Sequence, residues 1–313
     1  MKRRVIKINP NIAQSNVKSY KPVQSRHKVH LPKTIPQSHI VVPEKPIIAL
    51  KNNINPRKHS ILIVLHLFHG NLVNDFLEKL LKLNDTVDFD IIVTVCKNSL
   101  AHKSKYLYNY ESKLNAKIIT VENVGKDIIP KLIAIEYAIK EKKQYNSVFL
   151  MHDKKSVKHT KTPNKWDRNA SWKDELIDNL FNDVKRNFSI DLLCSNKNIG
   201  LVGSKKHLHY GPGWHKDLFI RRFSKELALI NHQTTLESQI NSKIPKTAWF
   251  IGGTMFWIKW DILANFYNTY GFSKIFDLAK NDKGNIQDPS FTHYLERFFG
   301  QVTVMYNMKT VGI

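Results

Sequence analysis

Between Ser60 and Met151 the chain alternates two hydrophobic periods, and that alternation limits the fold more than any other feature. Four stretches are short and nearly continuous in apolar residues: Ser60-Ile-Leu-Ile-Val-Leu-His66-Leu-Phe, Phe89-Asp-Ile-Ile-Val-Thr-Val-Cys96, Ala116-Lys-Ile-Ile-Thr-Val-Glu122 and Ser147-Val-Phe-Leu-Met151. Runs of this kind suit strands covered on both faces. Between the first two, Leu72, Phe76, Leu77, Leu80 and Leu81 recur at helical spacing. Ser104 to Lys113 reads as helix, and so does Ile128 to Lys142, with Pro130 in the first turn where a missing N–H costs nothing. Strand and helix alternating in units of about 30 residues require right-handed crossovers and a mostly parallel sheet. The expected architecture is α/β, with an open, mostly parallel sheet.

The second half is less regular. Trp172 to Phe188 predicts an amphipathic helix, and Ile199-Gly-Leu-Val-Gly203 a short strand. A His/Gly/aromatic loop follows from Lys205 to His215, and Arg221 to His232 reads as helix. Trp249 to Ile258 predicts one strand broken by Gly252-Gly253, Phe291 to Phe298 a helix, and Val302 to Tyr306 a last strand. Nothing marks a linker, so residues 59–313 are expected to form one α/β domain.

Residues 1–58 differ in kind. They hold 13 Lys/Arg against the single acid Glu44, and seven of the 12 prolines, in a chain of net charge +23. Proline at that density forbids helix interiors, so this segment predicts an extended basic tail. Such a tail either serves as a solvated linker or attracts polyanions, an anionic membrane surface foremost. No zinc-finger spacing, basic-zipper heptad or aromatic ribonucleoprotein signature is present, so a nucleic-acid partner is not expected. The longest apolar run, Ile61 to Phe68, is far short of the ~20 residues a spanning helix needs. Asn9-Pro10-Asn11 stands where a signal peptide would carry its apolar core, so the expected location is the cytoplasm, with peripheral attachment to the inner face of the plasma membrane. The two cysteines, Cys96 and Cys194, exclude a disulfide scaffold, and both are expected to be buried free thiols.

In open α/β sheets ligands bind outside the carboxyl ends of the strands. Here those ends carry His66-Leu-Phe-His69-Gly70, Asn98-Ser99, Asn123-Val-Gly125-Lys126-Asp127 and His152-Asp153-Lys154-Lys155-Ser156. No Walker loop and no dinucleotide glycine fingerprint occurs, which removes classical ATPases and nicotinamide dehydrogenases. Gly125 lets backbone approach a ligand, Lys126 offers a point charge for phosphate, and Asp127 can cap the following helix. The same three residues would also serve as a plain helix cap. His152 and Asp153 are candidate ligands for Mg2+ or Mn2+ holding a diphosphate, and equally a polar loop. Asp88-Phe-Asp90 precedes its strand and reads as strand-edge capping. Asp288 lies just ahead of a helix as a candidate general base, with His293 and Arg297 one turn apart on that helix. In the plain alternative Asp288 caps, and Glu296 and Arg297 face solvent. Gly252-Gly253-Thr254 inside an aromatic strand suggests a close approach by ligand or backbone, and a bulge without function would look the same.

Several of these stretches together resemble the rhamnan-synthesis protein F family of bacterial cell-surface polysaccharide assembly. They are Ile63-Val-Leu-His-Leu-Phe, Glu122-Asn-Val-Gly-Lys-Asp-Ile-Ile-Pro130, Met151-His-Asp-Lys-Lys-Ser156, Ile199-Gly-Leu-Val-Gly203, Gly252-Gly-Thr-Met-Phe-Trp257 and Asp288 to Gly300, in that order. The resemblance covers about residues 60–300 and leaves the basic tail outside. It implies a glycosyltransferase of the nucleotide-diphospho-sugar (GT-A-like) fold, with rhamnose or a related sugar as donor and a glycan or glycolipid such as capsule or lipopolysaccharide as acceptor. On that footing His66, Asn123, Gly125, Lys126, Asp127, His152, Lys154 and Lys155 are the expected nucleotide-sugar residues. Asp288 is the expected base, with His293 assisting. His207, His209, Trp214, Gly252 and Gly253 are expected on the acceptor side. The chain departs from the Asp-x-Asp metal motif of that fold, and only Asp153 beside His152 occupies the comparable strand end. The alternative is a non-catalytic carbohydrate-binding or assembly protein on the same fold.

Overall fold

The computed structural model describes residues 60–153, 176–177, 181–211, 248–280 and 291–313. The basic segment 1–58 and the helix expected over Arg221 to His232 lie outside those residues. From Ile61 to His152 the expected alternation is present. Strand β1 (Ile61–Leu67) leads to helix α1 (Val73–Asn84), then β2 (Asp90–Cys96), α2 (Tyr108–Leu114), β3 (Lys117–Val121), α3 (Ile128–Lys140) and β4 (Ser147–His152). There follow α4 (Asp183–Ser195), β5 (Ile199–Gly203), β6 (Leu208–Gly211), β7 (Ala248–Ile251), β8 (Phe256–Lys259), α5 (Trp260–Tyr270), α6 (Ser273–Lys280), α7 (Phe291–Met305) and β9 (Lys309–Gly312). Seven strands form one mixed sheet in the order β3-β2-β1-β4-β8-β5-β9. β1 to β4 are parallel, and β8 enters antiparallel between β4 and β5.

The period-2 geometry of a strand divides β1 between two cores. Leu62 and Val64 pack with apolar residues of α3, α5, α6 and α7 on one face. Ile61, Ile63, Leu65 and Leu67 pack with α1, α2 and α4 on the other. A strand sandwiched this way must be apolar at every position, which is why β1 reads as a continuous run. On α1, Val73, Phe76, Leu77, Leu80 and Leu83 are the buried stripe. Each such side chain, fully buried, is worth about 1.5–3 kcal/mol.

β2 and β3 extend the sheet to one side of β1 and β4 to the other. The crossover direction therefore reverses between β1 and β4. In open α/β sheets ligands bind at such a reversal, outside the carboxyl ends of the strands, because the flanking connections leave on opposite faces.

Several expected elements differ. Val302 to Tyr306 is not a strand: residues through Met305 continue α7. Leu295, Phe298, Phe299 and Val302 are buried at i, i+3, i+4 and i+7, and the Thr303 hydroxyl donates to the Phe299 carbonyl at 2.7 Å. Burial of that stripe overrides the β-propensity of Val-Thr-Val. The last strand is instead β9. Trp249 to Ile258 is not one interrupted strand, since β7 pairs with β6 in a separate two-stranded sheet while β8 lies in the main one. Helix α2 begins at Tyr108; the residues from Ser99 to Leu107 form successive turns. A helix also cannot run unbroken from Trp172 to Phe188, because Asn182 is extended and its side chain accepts from the Val184 and Lys185 N–H groups, starting α4 afresh. Cys96 is buried, but Cys194, near the end of α4, is exposed; both are free thiols.

Candidate functional site

Strand register brings the first polar groups together. His66 on β1 stands beside Thr94 on β2 and His152 on β4. The His66 Nδ1 lies 3.0 Å from Thr94 Oγ1, and its Nε2 lies 3.9 Å from the Cys96 thiol, which donates to Asn123 Oδ1 at 3.9 Å. Burial pushes the His66 imidazole down to about 4, the Lys131 and His69 charges acting with it and Asp127 against it. Burial, then the Asp153 and Glu122 carboxylates, push the Cys96 thiol up to about 11, so it is no thiolate nucleophile at neutral pH.

The centre of the cluster is Lys131, whose side chain is wholly buried. Its Nζ donates to Asp127 Oδ2 at 2.8 Å, to the Thr254 carbonyl at 2.7 Å and to Thr254 Oγ1 at 3.0 Å, and lies 3.0 Å from His152 Nδ1. His152 Nδ1 is also 3.3 Å from Asp127 Oδ2, and the Thr254 hydroxyl donates to that same oxygen. Burial alone would raise the Asp127 carboxyl. The nearby His152 and Lys131 charges and the hydrogen bonds from Lys131 and Thr254 outweigh it and hold the group well below the usual carboxylate range. Asp127 occupies the N-cap position of α3 but its side chain caps nothing; it serves this network instead.

Backbone conformation around the cluster is unusual. Gly125, Lys126, Gly253 and Thr254 all have positive φ, at 66°, 54°, 84° and 51°. A β-branched residue there is strained. Lys131 holds Thr254 in place through both its carbonyl and its hydroxyl. At Gly125 a Cβ would stand 2.0 Å from Ile129 Cγ1, so any side chain there would have to displace Ile129 at the entry to α3.

Asp153 completes the strand end. One carboxylate oxygen accepts the Phe68 N–H at 2.8 Å, the other accepts the His69 N–H, and the Asp153 N–H donates to the His66 carbonyl at 3.0 Å. Both oxygens are thereby committed to the loop after β1. His152 Nδ1 faces an ammonium group. Each Asp153 oxygen accepts one N–H and keeps a second lone pair, so a divalent cation here would share the carboxylate with the loop after β1. No cluster of three or more His, Cys, Asp or Glu suited to a metal occurs among the described residues.

Because β8 is antiparallel, its start lies at the same end of the sheet, and the turn Gly252 to Thr254 brings a second group of residues with it. Gly252 donates to the His207 carbonyl at 2.8 Å, and a Cβ on Gly252 would stand 2.7 Å from the His209 ring. Gly253 donates to Glu296 Oε1 at 2.7 Å, and the Arg297 guanidinium stacks 4.7 Å from the Phe250 ring centre. Glu296 and Arg297 thus do not simply face solvent. Burial lowers the His209 imidazole, Glu296 opposing and Arg297 reinforcing it.

Of the residues expected from sequence, His66, Asn123, Gly125, Lys126, Asp127, His152 and Asp153 gather at the ends of β1 to β4 and the start of α3. His207, His209, Gly252 and Gly253 gather around the turn. His293 lies in the first turn of α7. Lys154, Lys155, Trp214 and Asp288 lie outside the described residues. Asp90 is at the opposite end of the sheet, accepting from the Tyr145 hydroxyl at 2.8 Å, in keeping with strand-edge capping. Sequence reasoning missed Lys131 and the role of Glu296. The signal for Lys131 was a lone cation inside Ile128-Ile-Pro-Lys-Leu-Ile-Ala-Ile, four residues after Asp127.

The family model for rhamnan synthesis protein F matches residues 19–308. The chain belongs to the rhamnan synthesis protein F family. Membership places it in the synthesis of rhamnan polysaccharide. The match begins well before Ser60, so much of the basic segment falls inside the family, contrary to what the motifs alone implied. Neither curated proteins nor solved structures yield a match. Among the described residues no helix is long and apolar enough to cross a membrane.

Proposed function

We propose that the protein is a glycosyltransferase that moves rhamnose or a related sugar from a nucleotide-diphospho-sugar to a growing cell-surface glycan or glycolipid, on a sheet of the GT-A type. One observation carries this reading: His66, Asn123, Lys126, His152 and Asp153 converge at the crossover reversal between β1 and β4, opposite the Gly252–Thr254 turn. In the proposed arrangement the nucleotide lies near His66 and Asn123. The diphosphate lies near Lys126 and the start of α3, whose backbone N–H groups favour an anion, with Lys154 and Lys155 close by. The Lys131 ammonium neutralises Asp127 within the protein, so a carboxylate at the strand end does not repel the incoming diphosphate. His66, held neutral by burial, can donate or accept a hydrogen bond but adds no charge. Asp288, with His293 near it, is the proposed base for the acceptor hydroxyl, and His207, His209, Trp214, Gly252 and Gly253 border the acceptor. Charge on the departing diphosphate is stabilised by these cations and N–H groups; a divalent cation, if held by Asp153 and His152, would supply further positive charge there.

A non-catalytic glycan-binding role is the second reading, favoured by the internal commitment of both Asp127 and Asp153. Incubation with a panel of nucleotide-diphospho-sugars and a rhamnan acceptor separates the two. Release of nucleoside diphosphate that depends on acceptor and is lost in Asp288→Asn supports transfer. Glycan binding with no release from any donor supports the second reading.

A further inference from the structure

Exposed large apolar side chains cluster among the described residues. They are Phe68, Leu100, Tyr106, Tyr108 and Val184, and four of the five lie just after β1, in the β2–α2 connection or at the first residue of α2. Leu100 is 69% exposed and Tyr108 75%. The two segments adjoin, since the Ala101 N–H donates to the Phe68 carbonyl at 3.2 Å and a Cβ on Gly70 would meet the Leu100 carbonyl at 2.7 Å. The connection is anchored: Ala101, Leu107 and Tyr110 are buried between the exposed residues, and the Tyr110 hydroxyl donates to the Val73 carbonyl at 2.7 Å. A firmly held turn therefore keeps leucine and tyrosine in water, at a cost in free energy that burial elsewhere would have avoided.

Charge distinguishes this surface from an ordinary apolar patch. From Lys97 to Tyr110 there are three lysines, Lys97, Lys103 and Lys105, all exposed, and no acid. Lys105 sits 5.2 Å from the Tyr106 ring centre. Tyrosine and leucine interleaved with lysine match the boundary of an anionic bilayer, where rings lie at headgroup level and ammonium groups meet phosphate. A protein partner would need a shaped, well-packed surface, and lysine is depleted at such interfaces.

We infer that Phe68, Leu100, Tyr106 and Tyr108 with Lys97, Lys103 and Lys105 form a docking surface for an anionic lipid bilayer. It lies at the carboxyl-end edge of the sheet, the same edge as the proposed donor site, so the docked protein would present that site to membrane-borne acceptor. The surface is separate from any lipid attraction by residues 1–58. Its recognition of lipid does not need the transferase reading.

The test uses the full chain with a Cys194→Ser background and an environment-sensitive fluorophore on Leu100→Cys. Phosphatidylcholine vesicles containing phosphatidylglycerol should raise and blue-shift its emission, and pure phosphatidylcholine should do so far less. The same label on Asp85→Cys, beyond the far end of α1, should not respond. Leu100→Glu/Tyr108→Glu should lower vesicle partitioning at least tenfold, and each lysine changed to Gln about fivefold. Nucleotide-induced thermal stabilisation should be the same in the glutamate variant and the parent. An unresponsive label at position 100, or unchanged partitioning of the glutamate variant, would overturn the inference even if the parent binds vesicles through its N-terminal segment. Loss of nucleotide stabilisation in every form, with the label still responding, would instead overturn the proposed function.

Discussion

Replacing Lys131 by Met keeps the length of the side chain and removes its charge and three donors. The Asp127 carboxylate then loses its closest cation, and Thr254 loses partners for both its carbonyl and its hydroxyl. Breaking a buried ion pair by removing one partner costs about 3–5 kcal/mol. Asp127 retains 22% of its side-chain exposure and the Thr254 hydroxyl, which places the loss toward the lower end, about 3 kcal/mol. In a domain of this size that corresponds to a fall in melting temperature of about 6–12 °C. Lys131→Met/Asp127→Asn removes the orphaned charge as well, so it should be more stable than the sum of the single losses, by about 2 kcal/mol. Urea unfolding of the parent, both single variants and the double variant measures this coupling directly. Strict additivity, or a Lys131→Met loss under about 0.5 kcal/mol, would refute the assignment of Lys131 as the centre of the cluster.

His66 makes stability depend on pH. Its folded-state value is about 4 against an ordinary 6.5, so as pH falls through 6.5 the unfolded chain takes a proton that the folded protein refuses. Stability should drop by about 3 kcal/mol between pH 6.5 and pH 4, and His66→Asn should flatten that part of the profile in denaturant titrations. Gly125→Ala forces a Cβ against Ile129 at a positive φ and should cost about 2–3 kcal/mol, visible as a lowered urea midpoint. If Asp153 serves only to hold the loop after β1, donor-nucleotide affinity measured by calorimetry should change less than threefold on adding EDTA. A loss of a hundredfold or more would mean that a cation shares this carboxylate.

What the sequence could and could not reveal follows from which interactions are local. β1 to β4 and the helices between them were legible because strands buried on both faces must be apolar throughout, and α1 must carry one apolar stripe. The strand ends were legible for the same reason: polar residues such as His66 and His152 stand out where such runs stop. Val302-Thr-Val was misread because its helical state depends on Leu295, Phe298 and Phe299 packing beneath α3 and α5, a tertiary fact. The Gly252–Thr254 turn was noticed, but its separation of two sheets depends on β6 and on insertion of β8 beside β4. Lys131 escaped notice because its partners include Thr254, 123 residues away, and no local pattern announces such a contact. Asp127 looked like a helix cap, which is its backbone position; only the three-dimensional neighbours redirect its side chain.

The central claim is that the polar cluster at the ends of β1 and β4 binds a nucleotide-sugar donor. It is tested most directly by thermal unfolding of the full chain with UDP, dTDP, GDP and CMP. A ligand at 100 times its dissociation constant adds about 2.7 kcal/mol, or about 5–10 °C here. The expected result is such a shift with one nucleotide, diminished in His152→Ala and Lys126→Ala relative to their own ligand-free melting temperatures. No shift with any of the four nucleotides would contradict the claim.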